Sequence, residues 1–182
     1  QDIVSWLKIA TIDTCIFNLE TSYNAATDKK KAFLQVFWDE FNGKRGLNKF
    51  NLTLAQLLEK PLMERGLLEQ FKETIAEMGG DWNNPSEAAD LVDQALEMVI
   101  DAAVELNPQF DRNSLYNHID KRDYAISIER FGMELAEYLK DKGEDYRLIL
   151  LADEVSQFIN KERDRYLNLQ EIITKLSEAC HN

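Results

Sequence analysis

Residues 145–157 read Asp-Tyr-Arg-Leu-Ile-Leu-Leu-Ala-Asp-Glu-Val-Ser-Gln, and this stretch decides the fold. Five consecutive apolar residues, Leu148–Ala152, are followed at once by Asp153 and Glu154. A run that is short and unbroken predicts a strand buried on both faces, as in a parallel sheet covered by helices. The two acids then lie at the carboxyl end of the strand, which is the edge where open α/β sheets bind ligands.

Two adjacent acids after a buried strand allow two interpretations. The first is the Walker B element of a P-loop ATPase, in which the strand holds Asp153 at the Mg²⁺ shell and Glu154 polarises the attacking water. The second is a core strand that ends at a surface turn, where the acids cap the following helix. The pattern alone leaves both open.

Length and composition exclude several classes of protein. The chain has 182 residues, of which 45% are hydrophobic, so we expect one folded domain with a hydrophobic core. Its net charge of −12 argues against nucleic acid binding by this segment alone, because such binding needs clustered Lys and Arg. It has no signal-peptide pattern and no apolar run near the length of a membrane span, so no membrane contact and a cytoplasmic location are expected.

The cysteines and histidines do not form a metal site. Cys15, Cys180, His118 and His181 are the complete set, and they lack the spacing of about four clustered ligands that zinc requires. Cys15 lies among β-branched and aromatic residues and is predicted to be a small core residue.

The rest of the chain predicts one further strand and many helices. Thr11–Leu19 is rich in β-branched and aromatic residues and predicts the first strand, preceded by the last turns of a helix at Gln1–Lys8. Asn84-Pro85-Ser86-Glu87 is a helix start with a capping residue and Pro in the first turn. Helical spacing of apolar residues predicts helices at Thr27–Phe41, Thr53–Lys60, Leu62–Met78, 84–106, Ser114–Asp120 and Tyr124–Lys142, with a last helix after a polar loop at Gln157–Arg163.

Two local signals lie in these helices. Thr53 and Gln56 have the spacing of a capping box, and Pro61 is predicted to interrupt the chain between two helices. In the last helix, the residues predicted to point inward are Tyr166, Leu169, Ile172, Ile173, Leu176 and Ala179.

These elements predict an α/β fold that is predominantly helical. Its sheet is a two-strand fragment of a P-loop NTPase sheet, expected to be parallel, with a large all-helical insertion between the strands. We interpret residues 1–182 as a single domain in which 1–22 and 144–182 form the sheet-and-helix core and 23–143 form the insertion. A right-handed crossover would join the strands.

The phosphate-binding element of such an ATPase is absent from these residues. No G-x-x-x-x-G-K-[ST] motif occurs, and Gly43-Lys44 is followed by Arg45 at a predicted helix end. If Asp153-Glu154 is a Walker B element, the chain is therefore an internal piece of a larger ATPase. By itself this piece is expected to be inactive and to bind neither ATP nor Mg²⁺.

The end of the chain resembles a known family. Leu148–Asn160, followed by Tyr166-Leu-Asn-Leu-Gln-Glu-Ile-Ile-Thr-Lys-Leu-Ser-Glu-Ala-Cys180, is similar to the Walker B region of the BREX (bacteriophage exclusion) P-loop ATPases, the BrxC/PglY family. Phe17-Asn18 and Ser127–Phe131 also fit that family. The likeness is dense only over about 35 residues at the end of the chain.

The resemblance implies roles for individual residues. Asp153 would hold Mg²⁺, Glu154 would activate water as the catalytic acid, and Gln157 would shape the nucleotide pocket. Asn168 and Gln170 match a polar pair whose role is open.

Two departures from the family bear on the loop after the acids. Ser156 and Asn160 stand where the family tends to have Gly, so that loop is expected to differ in geometry. The resemblance also implies ATP and Mg²⁺ as cofactors of the full-length protein, and a role in phage defence with other components of the defence system as partners. A homo-oligomer is left open.

Two other functions stay open. The helical bulk and acidic composition also fit a non-enzymatic helical protein-interaction domain. A metal-dependent hydrolase built from Asp153, Glu154 and other acids is the third interpretation, although no H-E-x-x-H spacing supports it.

Overall fold

The computed structural model describes residues 11–18, 32–159 and 163–180. The predicted helix end at Gln1–Lys8 and the start of the predicted helix Thr27–Phe41 lie outside these residues. The described part contains strands β1 Thr11–Asn18 and β2 Tyr146–Asp153, a π-helical turn Ala55–Glu59, and helices α1 Ala32–Lys44, α2 Leu52–Leu54, α3 Lys60–Glu64, α4 Leu68–Glu77, α5 Pro85–Leu106, α6 Arg112–Lys121, α7 Ile128–Lys142, α8 Val155–Ile159 and α9 Arg163–Cys180. None of the helices in this part combines the length and apolar composition that a membrane crossing requires.

Strands β1 and β2 pair in parallel, as predicted. The register runs from Thr11 opposite Tyr146 to Asn18 opposite Asp153. The apolar run Leu148–Ala152 lies within β2. The predominantly helical α/β fold with a small parallel sheet is therefore confirmed for the described residues.

One face of this sheet is open, so the prediction of a strand buried on both faces is wrong. Side chains alternate along a strand and paired residues share a face, so Cys15 and Leu150 lie on one face while Ile16 and Leu151 lie on the other. Cys15 is buried, as predicted, and Leu150 is half-buried. The open face exposes four aliphatic side chains by these fractions: Ile12 40%, Ile16 69%, Ile149 38% and Leu151 47%. An apolar run shows that a strand could be buried on both faces. Whether it is buried depends on elements distant in sequence that pack against those faces.

The chain divides into two compact units. The first consists of Gln1–Glu40 with Ile126–Asn182, and the second of Phe41–Ala125. The sheet and helices α7–α9 belong to the first unit, and helices α2–α6 belong to the second. The interpretation of residues 1–182 as one sheet domain with an insertion at 23–143 stays a prediction.

The core of the first unit is built from helices α1, α7 and α9. Trp38 and Phe131, from α1 and α7, are fully buried and their ring centroids lie 5.3 Å apart. Helices α7 and α9 approach closely at Gly132, where a Cβ atom would lie 3.0 Å from the Cβ atom of Ala179. Helix α7 begins after Ser127, whose Oγ accepts a hydrogen bond from the backbone N–H of Arg130, so the predicted start at Tyr124 is wrong.

Helix α9 buries only part of its predicted apolar face. Ile172 and Leu176 are buried, whereas Tyr166 and Ile173, also predicted to point inward, are exposed. The buried stripe has a spacing of four residues, which is one side of a helix.

The second unit contains a nearly continuous helical segment from Leu52 to Glu64. Its capping residue is Asn51, whose Oδ1 accepts from the N–H of Leu54, rather than the predicted Thr53. Pro61 lies in α3 directly after the π-helical turn, and the helical segment continues through it without interruption. The chain turns instead at Gly66, which has φ +70°.

Helix α5 starts as predicted and is kinked in its middle. The Oδ1 of Asn84 accepts from the N–H groups of Ser86 and Glu87, and Pro85 opens the helix. Ala95 has non-helical backbone angles of φ −144° and ψ 42°. The core of this unit is a cluster of aliphatic and aromatic side chains that includes Leu47, Leu54, Leu58, Leu62, Phe71, Ile75, Trp82, Val99 and Ile100.

A buried carboxylate links three segments of the second unit. Glu59 accepts hydrogen bonds from the backbone N–H of Asn48, at 2.5 Å, and from the Nε1–H of Trp82, at 2.7 Å. Burial raises the pKa of Glu59, while these two donors act in the opposite direction. The carboxylate therefore satisfies two buried donors and at the same time bears the cost of desolvation.

Candidate functional site

The predicted site lies at the carboxyl edge of the sheet, where both strands end in a polar residue. Asn18 is the last residue of β1, Asp153 is the last residue of β2, and the register places them opposite each other. Because the strands are parallel, everything that follows them leaves from this edge. The sequence placed Asn18 near the end of the first strand and in the resemblance to the family, and its position beside Asp153 follows from the register.

Asp153 presents a carboxylate to solvent at this edge. Its side chain is exposed, and its Oδ1 accepts the backbone N–H of Glu154 at 2.8 Å. Among the described residues it forms no ion pair with a Lys or Arg. The carboxylate is therefore positioned by the strand and remains accessible to a cation.

Glu154 adopts an unusual backbone conformation directly after the strand. Its φ is +60°, in the left-handed region that non-glycine residues rarely occupy. Residues held in this region carry local strain of about 1–3 kcal/mol and are concentrated at functional sites. The side chain is half-buried, and its Oε2 is buried without a hydrogen-bond donor from the described residues. Glu154 thus departs from the extended backbone of the strand, and its Oε2 is an unsatisfied acceptor.

The segment after the acids is helical where the sequence predicted a polar loop. Residues 155–159 form α8, so the loop predicted from Gln157 onward is wrong over its first three residues. The backbone of Gln157 lies in α8, while its side chain and Asn160 lie outside what the structure describes. Ser156, one of the two departures from the family pattern, is exposed on α8.

The polar pair on α9 separates into two environments. Asn168 is half-buried and its Oδ1 is buried without a donor from the described residues. Gln170 is exposed. Asn168 lies four residues before Ile172 and eight before Leu176, so it continues the buried side of the helix.

The residues of this edge fit a Mg²⁺ ion that shares its coordination with other groups. In the described residues no group of three or more His, Cys, Asp or Glu side chains is close enough to hold a metal ion alone. Mg²⁺ in phosphate-transfer sites keeps several waters and binds one or two carboxylates together with substrate phosphates. One exposed, strand-fixed carboxylate such as Asp153 fits that donor set, whereas a self-sufficient metal site would need more ligands.

The opposite end of the sheet carries a hydrogen-bonded tyrosine cluster. Tyr146 Oη donates to Asp13 Oδ2 at 3.0 Å and lies 3.2 Å from Tyr138 Oη. Burial and these hydrogen bonds raise the pKa of Tyr146. The cluster joins α7 to the beginning of both strands, which indicates a structural role.

A groove lies beside this end of β2. It encloses about 880 Å³ and is lined by residues that include Lys140, Glu144, Leu148 and Cys180. Burial raises the pKa of the Cys180 thiol, so the reactive thiolate form is disfavoured. The groove brings the end of α9 next to the beginning of β2.

The chain was compared with protein-family models and with solved structures. No protein-family model matches the chain. No solved structure matches it either.

Proposed function

We propose that the chain is the part of a P-loop ATPase that supplies the Walker B acids, in a system that excludes bacteriophages. The observation that carries the proposal is the position of Asp153 and Glu154 at the carboxyl end of a strand in a parallel pair. That edge is where open α/β sheets bind ligands. The strained backbone and unsatisfied oxygen of Glu154 support a role in chemistry over a role as a helix cap.

The two acids have different environments, which suits two different roles. Asp153 is exposed and would hold Mg²⁺, which would neutralise charge on the phosphates of ATP when bound. Glu154 is half-buried beside it and accepts a proton from the attacking water as the water oxygen bonds to the γ-phosphorus. The bond from that phosphorus to the bridging oxygen breaks, and ADP and phosphate leave.

The phosphate-binding loop of this ATPase would come from residues outside these 182. A loop ending in Gly-Lys-Ser or Gly-Lys-Thr within about 60 positions before Gln1 is expected. The 182-residue chain alone is expected to show no ATP binding at micromolar concentration by calorimetry. Micromolar binding would contradict the proposal that the phosphate loop lies elsewhere.

The decisive experiment is Glu154→Gln in a chain that includes the phosphate loop. Turnover should fall by about three orders of magnitude or more, because a positioned catalytic base is lost, while ATP binding persists. Glu171→Gln is the matched control, because Glu171 is an exposed acid on α9. Loss of less than tenfold in the Glu154 variant, with ATP turnover otherwise normal, would overturn the proposal.

The alternative is a helical protein-interaction domain. The open aliphatic face of the sheet favours it, because exposed apolar patches often mark binding surfaces. It gives no reason for the strained conformation of Glu154. If Glu154→Gln leaves turnover intact, or no chain containing these residues hydrolyses ATP, this alternative becomes the better interpretation.

A further inference from the structure

Two buried side-chain oxygens in the first unit lack a donor from the described residues. They are Oε2 of Glu154 and Oδ1 of Asn168. A buried acceptor that is left unsatisfied costs about 1–3 kcal/mol, so such atoms are uncommon. Both atoms are acceptors, and neither residue can satisfy the other through these atoms.

The geometry of α9 places Asn168 at the level of the acids. Leu148 and Cys180 line the same groove, so the end of α9 lies beside the beginning of β2. Because α9 ends beside the beginning of β2 and starts ten residues after its end, we infer that the helix runs antiparallel to the strand. The twelve residues from Cys180 back to Asn168 rise by about 18 Å at about 1.5 Å per residue. The five residues from Leu148 to Asp153 span about 17 Å at about 3.3 Å per residue.

Asn168 also lies on the side of α9 that faces the core. It shares this side with Ile172 and Leu176, both of which are buried. An amide in this apolar stripe contributes less to packing than a leucine of similar size. Gln170 is exposed on the same helix and is the natural comparison.

We propose that Asn168 Oδ1 and Glu154 Oε2 together hold one water molecule, which is the water that attacks ATP. The inference rests on the proposed ATPase function. A water molecule has two O–H donors, which match two acceptors. In the reaction one proton passes to Glu154, while the second hydrogen stays on the water oxygen and donates to Asn168 Oδ1. The oxygen lone pair bonds to the γ-phosphorus as the bond from that phosphorus to the β–γ bridging oxygen breaks, and ADP leaves. Asn168 is therefore a positioning residue for the water that Glu154 deprotonates.

The first test is a crystal structure of the 182-residue chain at a resolution that shows ordered water. We expect one water within hydrogen-bond distance of both oxygens, which requires the two oxygens to lie no more than about 6 Å apart. A larger separation, or a protein donor bonded to either oxygen, would overturn the inference. This test does not depend on ATPase activity.

The second test uses Asn168→Leu in the chain that includes the phosphate loop. We expect kcat to fall by about 10- to 100-fold with KM for ATP unchanged, because only the attacking water loses a ligand. The melting temperature should change by no more than about 4 °C, because the variant loses one water-mediated hydrogen bond and gains an apolar group of similar size. Gln170→Leu is the control and should leave both quantities unchanged.

A conservative variant separates water positioning from packing. Asn168→Asp keeps a side-chain oxygen that can accept a hydrogen bond from the water, so its kcat should stay within about tenfold of the wild type and above that of Asn168→Leu. Unchanged kcat in Asn168→Leu would overturn the inference, and so would a fall in kcat accompanied by a melting temperature lower by more than about 4 °C. In either case, a large effect of Glu154→Gln would leave the ATPase proposal standing. If Glu154→Gln has no effect, both fail together.

Discussion

The two units of the chain differ in how completely they bury their apolar side chains. In the described residues of the second unit, only Phe50 and Met78 are large exposed hydrophobic side chains. The described part of the first unit exposes eight, which are Ile12, Ile16, Met133, Ile149, Leu151, Tyr166, Leu167 and Ile173. The second unit thus closes a core of its own, whereas the first leaves apolar surface on both its sheet and its last helix.

This difference shows that the first unit has apolar surface that its own residues leave uncovered. Burial of apolar surface contributes roughly 25 cal/mol of stabilising free energy per Å², and surface that faces water does not contribute it. A two-stranded sheet is marginal alone and depends on the elements packed against it. The first unit therefore has more to gain from contact with further polypeptide, which agrees with its proposed place in a larger sheet.

The largest change in stability is expected on truncating a side chain in the core of the second unit. Its size tests whether that core is closed. Phe71 is fully buried and packs edge-on against Trp82, with ring centroids 4.8 Å apart. Phe71→Ala should lower the free energy of unfolding by about 3–5 kcal/mol, measured by urea denaturation. Phe50→Ala, at a residue that is 57% exposed, is the matched control and should change it by about 0.5 kcal/mol or less. Equal effects of the two variants would contradict a closed core.

An intermediate effect is expected at the buried carboxylate of the second unit. Glu59→Ala leaves the N–H of Asn48 and the Nε1–H of Trp82 without an acceptor, so it should cost about 1–3 kcal/mol. The pH dependence follows from the raised pKa of Glu59. A carboxyl whose pKa is higher in the folded state stabilises the fold fully below its unfolded pKa, and this contribution is lost as pH rises through the folded value.

The measurement is the free energy of unfolding of the wild type and of Glu59→Gln between pH 4 and pH 8. The advantage of the wild type over the variant should be largest near pH 4 and should shrink as pH rises. Glu105→Gln, at an exposed position, corrects for the loss of one carboxyl group from the net charge. An advantage that grows with pH would show that the two hydrogen bonds outweigh desolvation.

The smallest effect is expected on the open face of the sheet. Ile16→Thr with Leu151→Thr changes two exposed side chains in β1 and β2 and keeps good strand-forming residues, so stability should change by about 0.5 kcal/mol or less. Light scattering at high protein concentration should show less association than the wild type. A loss of more than about 2 kcal/mol would mean that this face is covered, and the contrast between the units would disappear.

The sequence predicted the parts of the fold that depend on neighbours along the chain. The cap at Asn84 with Pro85 is a local signal, and the structure has it in place. Other local signals were wrong. Thr53 had the spacing of a capping box, but the cap is Asn51, whose Oδ1 accepts from the N–H of Leu54. Pro61 was predicted to interrupt the chain, yet the helical segment continues through it from the π-helical turn.

The candidate site was predicted only in part. Adjacent acids after an apolar run located Asp153 and Glu154, since that signal is contained in seven consecutive residues. The neighbour Asn18 could not be assigned, because it lies 135 positions away and joins the site only through strand pairing. The burial of the Asn168 oxygen was likewise hidden, since helical spacing places a residue on a side of a helix but does not say what covers it.

The order of residues along the chain is enough to predict that the protein is mainly helical, that two segments are strands, and that two acids end the second strand. Those features follow from backbone preferences and from the spacing of apolar residues within a few turns. The folded arrangement was needed to learn which face of the sheet is covered, which acid is half-buried, and that Glu59 is enclosed with its two donors. Those outcomes depend on contacts between residues far apart in the chain, where packing and desolvation outweigh local preference.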